Sequence, residues 1–333
     1  MKALLSYHPG PPESLVLEEV PDPVPGPDEV LIRVVACGVN FPDVLLVAGK
    51  YQFRPPRPFS PGAEVAGIVE QVGAEVTRFA PGDRVMALCS WGGMAEKLAV
   101  SEAKCVAVPG TMPLDQAAAL ELTYGTAHHA LVSPGELKEG ETVLVLGAAG
   151  GVGLAAVELA KAMGARVLAA VSSPEKALAA REAGADEAFL YPRGPFDKEG
   201  RRELGRQLRA AAGGGADVVI DPVGGDYSEA ALRAMRPGGR LVVVGFAAGI
   251  PQLPLNLVLF GEAKIVAGAW GAVVARDPAC FRQTIGELSS LHARGLIRPR
   301  ISRRFPLGQA PDALAMLERR EAVGKIVIEI GAE

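Results

Sequence analysis

One stretch constrains the fold of this chain more than any other: residues Thr142–Ala162, with the sequence TVLVLGAAGGVGLAAVELAKA. It begins with Val143–Leu146, four consecutive apolar residues, which is typical of a parallel strand covered on both faces. A glycine-rich turn over residues 147–153 follows at once, and an alanine- and leucine-rich helical pattern follows the turn. The stretch therefore predicts a strand, a tight turn and a helix, as in a sheet covered by helices.

The turn fits the GxGxxG dinucleotide fingerprint at its second and third glycines. Ala148, Gly150 and Gly153 occupy the three positions. Gly150 would let the backbone approach a pyrophosphate, whereas Gly153 would let the helix pack closely on the strand. Free N–H groups and the positive end of the helix dipole favour an anion at the start of a helix. The glycines could serve packing only, but the flanking strand and helix favour a nucleotide site.

A second strand, Arg166–Val171, bears on the type of nucleotide. An NAD site wants Asp or Glu near the end of this strand to bind the ribose 2′-hydroxyl, but the next residues are Ser172 and Ser173. Lys176 follows, where its ammonium could meet a 2′-phosphate or lie on a solvated helix face. Ser173 also fits a helix N-cap before Pro174. The missing acid, together with Lys176, predicts NADPH rather than NADH.

Length and charge narrow the class of protein. A length of 333 residues suits two domains. The net charge is −4, and the Lys and Arg residues are interspersed with acidic residues rather than clustered. That distribution gives no basic footprint for nucleic acid or an anionic membrane. No apolar run is long enough to span a bilayer, and the N-terminal residues lack a signal-peptide core. We therefore expect a cytoplasmic protein with no nucleic-acid or membrane partner.

The four cysteines are scattered. They are Cys37, Cys89, Cys105 and Cys280, with no CxxC pair among them. This spacing argues against a disulfide framework and against a structural zinc lobe. It favours a role as small side chains of the core.

The rest of the chain divides by pattern into a β-rich part and an alternating part. Residues 1 to about 110 contain short apolar strands broken by Pro and Gly, which predicts a β-rich or barrel-like unit. A helical pattern over 113–132 leads to alternating strands and helices that end in a sixth strand, Lys264–Ala267. This alternation predicts a parallel sheet with helices on both faces. A helix at 277–294 and a strand at 325–330 come afterwards, and we expect the chain to return there to the first unit.

A run of motifs in one order resembles the medium-chain dehydrogenase/reductase superfamily, and within it the zinc-free quinone oxidoreductase (zeta-crystallin-like) branch. The motifs are GVNFPD (38–43), AGKY (48–51), PGAEVAGIVEQVG (61–73), PGDRV (81–85), LTYGTAHHAL (122–131), AAGGVG (148–153), GADVVIDPVGG (215–225), PGGRLVVVG (237–245) and GKIVIEI (324–330). The resemblance implies an α/β fold with a GroES-like β-rich catalytic domain plus a Rossmann doubly wound parallel sheet. It implies a discontinuous GroES-like domain at 1–122 and 268–333 and a Rossmann domain at 123–267.

The chain departs from the zinc alcohol dehydrogenases of that superfamily at the metal ligands. Asn40 stands where those enzymes carry a cysteine, and Ala63 stands where they carry a histidine before Glu64. Leu122 and Thr123 lie near the position of the third ligand. An amide, a methyl and an aliphatic or hydroxyl side chain cannot assemble a three-ligand catalytic zinc site. We therefore predict no metal.

Three residues are implied to be catalytic by the resemblance to the zinc-free members: Asn40, Asp43 and Tyr51. Asn40 could donate a hydrogen bond to a substrate carbonyl or a cofactor hydroxyl, and Tyr51 could donate its phenolic proton to an enolate or hydroquinone anion. Asp43 would orient its neighbours. Purely structural alternatives are an Asx turn at Asn40 before Pro42 and a packed aromatic ring at Tyr51.

The same resemblance implies the residues that bind NADPH. Arg320 would reach the 2′-phosphate, with Lys325 near the same region, although Arg320 could equally be a solvated helix end. Tyr191 would approach the adenosine phosphate. The full set is Thr123, Thr126, Ala149, Gly150, Gly151, Val152, Gly153, Ser172, Lys176, Tyr191, Gly245, Phe246, Ala247, Arg320 and Lys325.

These features together predict zinc-independent hydride transfer from NADPH to a quinone or a related conjugated carbonyl. An NADPH-dependent enoyl thioester or 2-alkenal double-bond reductase is the nearest alternative, because quinones and enones share a conjugated acceptor. A nucleotide-binding structural or RNA-associated protein is a third interpretation, which the pI of about 5.8 disfavours. The resemblance also implies a homodimer, or a tetramer as a larger assembly, paired through the edge strand Lys264–Ala267.

Overall fold

A computed structural model describes residues 1–332, which divide into two compact units. The first unit contains Met1–Leu122, Asp277–Ala293 and the segment from Arg298 onward. The second unit contains Thr123–Arg276 and Arg294–Ile297. Both ends of the described chain therefore contribute to the first unit.

The helices and strands follow one another in three blocks along the chain. The first block contains β1 (Lys2–Leu5), β2 (Val16–Glu19), β3 (Glu29–Val39), α1 (Phe41–Val47), β4 (Glu64–Val72), β5 (Arg84–Leu88), β6 (Lys97–Ser101), β7 (Cys105–Ala107) and α2 (Leu114–Ala117). The second contains α3 (Thr123–Val132), β8 (Thr142–Leu146), α4 (Gly151–Ala162), β9 (Arg166–Val171), α5 (Pro174–Glu182), β10 (Glu187–Leu190), α6 (Lys198–Ala211), β11 (Ala216–Asp221), α7 (Asp226–Arg233), β12 (Met235–Val243), α8 (Leu255–Phe260), β13 (Lys264–Ala267) and α9 (Trp270–Arg276). The third contains α10 (Pro278–Ala293), β14 (Ile301–Pro306), α11 (Ala310–Glu318) and β15 (Lys325–Glu329).

A seven-stranded sheet forms the centre of the first unit. Its order is β14-β15-β3-β4-β5-β7, and β6 also pairs with β3. The pairing is antiparallel except between β14 and β15, which run parallel. The long strand β3 supplies Val30, Ile32, Val34, Cys37 and Val39 to the buried core. Because β15 lies against β3, the third block of the chain is hydrogen-bonded into the same sheet as the first.

A six-stranded parallel sheet forms the second unit. Its order is β10-β9-β8-β11-β12-β13, which is 3-2-1-4-5-6 when the strands are counted along the chain. All its pairs are parallel, so the carboxyl ends of the strands share one edge. Every residue of β8 is buried, as the unbroken apolar run predicts. In such a sheet, ligands bind beyond the carboxyl ends at the point where the strand order reverses, which here is between β8 and β11.

Three parts of the secondary structure differ from the sequence predictions. The helical pattern over 113–132 is broken into α2 and α3, because the chain turns at 118–122. Helix α1 lies in the long segment between β3 and β4, where no helix was predicted. The sequence predictions also lack strand β14 and helix α11. Strand β14 has the polar, largely exposed sequence ISRRFP, which carries no apolar strand pattern.

The second unit extends to Arg276, beyond the boundary at 267 expected from the sequence. Helix α9 explains the difference, because its Trp270 is buried against α3. A Cβ atom on Gly125 would lie 2.5 Å from the indole nitrogen of Trp270, so the ring packs directly on the backbone of α3.

No helix within residues 1–332 is both long enough and apolar enough to cross a lipid bilayer.

Candidate functional site

The glycine turn of the second unit connects β8 to α4. Gly147 has φ +57°, which favours glycine, and Gly150 is the N-cap of α4. A Cβ atom on Gly153 would lie 2.3 Å from the carbonyl oxygen of Gly147, so only glycine fits there. A Cβ atom on Gly150 would meet only that same oxygen, at an ordinary 3.5 Å. Packing therefore explains Gly153 but not Gly150, and the backbone at Gly150 is open to a ligand.

The other predicted residues of this turn vary in exposure. Ala149 is buried, while Gly151 and Val152, in the first turn of α4, are partly accessible. The start of this twelve-residue helix provides backbone N–H groups and the positive end of its dipole. The arrangement can bind a phosphate group.

The end of the neighbouring strand β9 brings Ser172 and Lys176 together. The ammonium of Lys176 donates a hydrogen bond of 3.4 Å to the hydroxyl of Ser172, and both side chains are partly buried. The hydroxyl of Ser173 accepts from the backbone N–H of Lys176, as expected of an N-cap before Pro174. The N-cap role of Ser173 and a phosphate-binding role of Lys176 are thus compatible in one structure.

The remaining predicted cofactor residues of the second unit lie at three places. Thr123 and Thr126 are buried in the first turn of α3. The ring of Tyr191 lies after β10 and contacts the ring of Tyr227, with 5.0 Å between centroids. The third place is the loop that follows β12, where Phe246 is exposed and its neighbours Gly245 and Ala247 are partly buried.

In the first unit, Asn40 and Asp43 form the beginning of α1. The carboxylate of Asp43 accepts hydrogen bonds from the backbone N–H groups of Asn40, at 2.8 Å, and Gly62, at 3.1 Å. Asp43 is fully buried, and this burial raises its pKa to about 7 although both hydrogen bonds and the charge of Lys325 act in the opposite direction. Asp43 therefore fixes the backbone of Asn40 against the loop at Gly62.

The side chain of Asn40 is held by two charged residues that lie far away in the sequence. Lys325 donates from Nζ to Oδ1 of Asn40 at 2.7 Å, and Nδ2 of Asn40 donates to Oε1 of Glu64 at 2.9 Å. Nδ2 also donates to the carbonyl oxygen of Gly38 at 3.2 Å. Both amide hydrogens of Asn40 thus have acceptors within the protein. The expected role of Asn40, as a donor to a substrate carbonyl or to a cofactor hydroxyl, would require one of these hydrogen bonds to be exchanged, and it stays a prediction.

The ammonium of Lys325 has three hydrogen-bond acceptors inside the first unit. Its Nζ donates to Glu64 Oε1 at 2.6 Å, to Asn40 Oδ1 at 2.7 Å and to the carbonyl oxygen of Val39 at 3.1 Å. An ammonium has three hydrogens, so none is left for another acceptor. The side chains of Lys325 and Glu64 are 4% and 0% exposed. Lys325, Asn40 and Glu64 thus form one buried cluster, called the Asn40 cluster below. The expected place of Lys325 near the region of a 2′-phosphate stays a prediction.

The sequence interpretation missed the roles of Glu64 and Glu121. Glu64 accepts from Lys325 and Asn40 at Oε1 and from the backbone N–H of Leu122 at Oε2, 2.9 Å away. Glu121 is fully buried, and burial together with the negative charge of Glu64 raises its pKa well above the ordinary value. A signal was present, because an ionisable residue inside a buried run such as PGAEVAG needs a cation as partner.

Tyr51 lies after α1 and is half-buried. Burial, and then the negative charge of Asp43, raise the pKa of its phenol, so the hydroxyl keeps its proton at neutral pH. Its ring contacts Phe53 edge-on with 5.0 Å between centroids, and Phe53 lies 5.8 Å from Trp91. The structure therefore combines a protonated phenol, the Asn40 cluster and half-exposed aromatic rings in one unit.

Arg320 follows α11, where it is exposed and has φ +60°. Both interpretations of Arg320, a phosphate ligand and a solvated helix end, agree with this exposure.

Within residues 1–332, no group of three or more His, Cys, Asp or Glu side chains could hold a metal ion.

Comparisons with known proteins identify the class. The alcohol dehydrogenase GroES-like domain model matches residues 26–110, and the zinc-binding dehydrogenase model matches residues 151–290. Both the GroES-like unit and the parallel-sheet unit expected from the sequence are thus confirmed.

Individual relatives narrow the class. The chain is 38% identical to quinone oxidoreductase-like protein 2 of Bos taurus, over 95% of this chain and 89% of that protein. It is 38% identical to the quinone oxidoreductase of Pseudomonas aeruginosa, over 96% of both chains. The solved structure of Escherichia coli quinone oxidoreductase complexed with NADPH is similar with a TM-score of 0.89 and 29% identity, covering 99% of this chain and 100% of that one. The chain belongs to the quinone oxidoreductase branch of the medium-chain dehydrogenase/reductase superfamily.

Proposed function

We propose that this protein is an NADPH-dependent quinone oxidoreductase that works without zinc. The observation that carries the proposal is the turn between β8 and α4, where Gly153 is required by packing but Gly150 leaves its backbone open. That openness fits a pyrophosphate at the start of α4. Full-length similarity to proteins named quinone oxidoreductase, one of them complexed with NADPH, supports the same reaction class.

The pair Ser172 and Lys176 favours NADPH over NADH. It lies at the carboxyl end of β9, where an NAD site carries an acid. A hydroxyl beside an ammonium, 3.4 Å apart, suits the extra charge of a 2′-phosphate. Discrimination between the two nucleotides thus falls to Lys176.

The residues of the first unit have separate tasks in this proposal. Bound NADPH supplies the hydride for a conjugated carbonyl acceptor. Tyr51, whose phenol stays protonated, donates to the acceptor oxygen, where negative charge develops. Asp43 holds the backbone of Asn40 and so acts as a positioning residue. Phe53 and Trp91 offer exposed aromatic surface to a flat acceptor.

The test of the reaction uses the purified protein with NADPH and a panel of quinones, enones and enoyl thioesters. We expect loss of reduced-nicotinamide absorbance with at least one quinone, at a rate that exhaustive dialysis against a chelator does not change. If no acceptor on the panel is reduced, the proposed reaction is wrong. If dialysis abolishes the activity and zinc restores it, zinc independence alone is wrong.

A double-bond reductase acting on enones is the second candidate. The protonated phenol of Tyr51 favours it, because such a reductase must deliver a proton to an enolate after hydride transfer. The two candidates need the same cofactor site and differ in their dependence on Tyr51.

We also propose a homodimer formed through β13. This strand ends the parallel sheet, so one of its edges has no neighbouring strand within residues 1–332. Ile265 on that strand is exposed, as are Leu255, Leu259 and Phe260 of the adjacent α8. A free edge beside exposed apolar side chains fits pairing with the same strand of a second copy. Light scattering should give twice the chain mass for the wild type and a lower mass for Ile265→Lys, and a monomeric wild type would contradict the proposal.

A cytoplasmic location stays a prediction from the sequence.

A further inference from the structure

Arg57 connects three parts of the first unit through its guanidinium. Nη2 donates to the carbonyl oxygens of Leu46 and Val47, the last two residues of α1, at 3.1 Å each. Nη1 donates to the carbonyl oxygen of His8 at 3.0 Å and to the hydroxyl of Ser6, in the segment that follows β1. Each of these nitrogens carries two hydrogens, so the four acceptors use all of them. Arg57 therefore ties its own loop both to α1 and to the segment after β1.

An arginine suits this place for two physical reasons. The last carbonyl groups of a helix lack intrahelical partners, and a cation interacts favourably with the negative end of the helix dipole. The planar guanidinium donates in two directions at once, whereas an ammonium offers three hydrogens from a single nitrogen and cannot form all four bonds. Close to Arg57, the backbones of Phe59 and Ser6 exchange two hydrogen bonds, of 2.8 and 3.3 Å. The guanidinium thus lies where the chain is already held on one side.

The contacts of Arg57 close a short loop that carries two candidate residues of the proposed reaction. Arg57 follows Val47 by ten residues, and the intervening segment, with Arg57 itself, is called the Tyr51 loop (residues 48–57). Tyr51 and Phe53 lie in this loop with their rings edge-on. Tyr51 is half-buried and Phe53 is exposed, so core packing restrains these rings less than it would restrain fully buried ones. Closure of the loop must supply the remaining restraint.

We propose that Arg57 is a positioning residue, which holds the Tyr51 loop closed and so keeps the phenol of Tyr51 and the ring of Phe53 in place for the acceptor. This inference rests on the proposed function, in which Tyr51 donates to the acceptor oxygen. It assigns to Arg57 a task that its contacts with Leu46, Val47, Ser6 and His8 make possible.

Limited digestion with trypsin tests closure of the loop directly. Lys50 is exposed and precedes Tyr51, whereas Arg54 and Arg57 each precede a proline, where trypsin does not cleave. Cleavage after Lys50 in the native protein requires the loop to open locally, and mass spectrometry identifies the fragments. We expect Arg57→Met to accelerate this cleavage about tenfold or more, as for the loss of a hydrogen bond from a charged group. An unchanged cleavage rate would overturn the inference.

Arg54→Met is the matched control for the digestion. Arg54 lies in the same loop and its side chain is exposed. Its replacement should leave cleavage after Lys50 at the wild-type rate. An acceleration in Arg54→Met equal to that in Arg57→Met would overturn the inference, because any change of charge in the loop would then have the same effect.

The second readout is the ratio of kcat with an enone to kcat with a quinone, which measures proton donation by Tyr51. We expect Arg57→Met to lower this ratio about tenfold, because a misplacement of about 1 Å can cost as much as 10²-fold in rate. Since Arg57 acts through Tyr51, adding Arg57→Met to Tyr51→Phe should lower the ratio no further. An unchanged ratio in Arg57→Met, or independent losses in the double variant, would overturn the inference.

Arg57→Lys separates the bridge from the charge. All four acceptors of Arg57 are uncharged, so neither Arg57→Met nor Arg57→Lys leaves an unpaired charge behind, and we expect both variants to fold. Arg57→Lys keeps a cation near the end of α1 but should still show faster cleavage and a lower ratio. Wild-type values of both would overturn the inference. A wild-type protein that reduces neither acceptor would instead overturn the proposed function, and the cleavage rates would still decide whether Arg57 closes the loop.

Discussion

Replacing Gly150 with alanine should separate binding from stability. The N-cap position of α4 has φ −78° and ψ 173°, which alanine adopts without strain. The new methyl would meet only the carbonyl oxygen of Gly147, at 3.5 Å. Alanine is a poorer N-cap than glycine, which destabilises the folded protein, but it loses less chain entropy on folding, which stabilises it. Each of these opposing contributions to the free energy of unfolding is about 0.5–1 kcal/mol. The free energy of unfolding should therefore change little.

The same methyl occupies the space into which we expect a pyrophosphate to approach. Losing one hydrogen bond between a backbone N–H and a charged phosphate costs about 1.5–3 kcal/mol, which corresponds to an increase in Kd of about 10- to 150-fold. Titration calorimetry with NADPH measures this loss, and thermal unfolding without nucleotide measures stability. Wild-type NADPH affinity in Gly150→Ala would refute the assignment of the phosphate to this turn.

Gly153→Ala is the matched control for this experiment. Its methyl would lie 2.3 Å from the oxygen of Gly147 and 2.7 Å from the Cα atom of Ala148, both of which belong to backbone. Overpacking of this kind costs about 1–3 kcal/mol or more. We expect Gly153→Ala to lower the melting temperature of the protein without nucleotide, whereas Gly150→Ala should not. If Gly150→Ala lowered the melting temperature and Gly153→Ala did not, the roles assigned to the two glycines would be exchanged.

Three further predictions follow from the site. Lys176→Ala should weaken NADPH far more than NADH in parallel titrations, and an equal loss for both nucleotides would contradict a 2′-phosphate role. Tyr51→Phe should remove most of the turnover with an enone but less of it with a quinone, because a quinone can take its proton from solvent. Equal losses in the steady-state rates with the two acceptors would contradict this difference. The pKa of Asp43 is raised to about 7 from 3.8, so the folded protein holds this proton more tightly than the unfolded chain and loses stability as pH rises between those values. Melting curves from pH 4 to 8 should therefore show a steeper decline for the wild type than for Asp43→Asn, and parallel curves would show that the carboxyl is not perturbed.

The sequence predicted the second unit better than the first. Its strands are unbroken apolar runs and its helices carry their own signals, such as Ser173 and Pro174 at the start of α5. The order β8, turn, α4 and β9 follows from local pattern alone. Helix α1 was missed because its pattern covers only seven residues. Strand β14 was missed because an exposed edge strand needs no apolar alternation.

The site was predicted in part, for a related reason. The open backbone at Gly150 and the N-cap at Ser173 depend on neighbours in sequence and could be predicted. The place of Lys325 could not, because its partner Glu64 is 261 residues away and the register of β15 on β3 brings them together. The same pairing sets the orientation of the Asn40 amide, which no motif encodes.

The pairing of β15 with β3 also sets when the Asn40 cluster can form during synthesis. Lys325 follows Asn40 by 285 residues, so the ribosome, at about 5–20 residues per second, needs roughly 15–60 s between the two. Until β15 arrives, Glu64 has no ammonium beside it, and residues 36–39 of β3 lack their partner strand. The parallel sheet of the second unit is complete by Ala267 and can fold during this interval. A nascent chain should therefore acquire the turn between β8 and α4 well before it acquires an oriented Asn40.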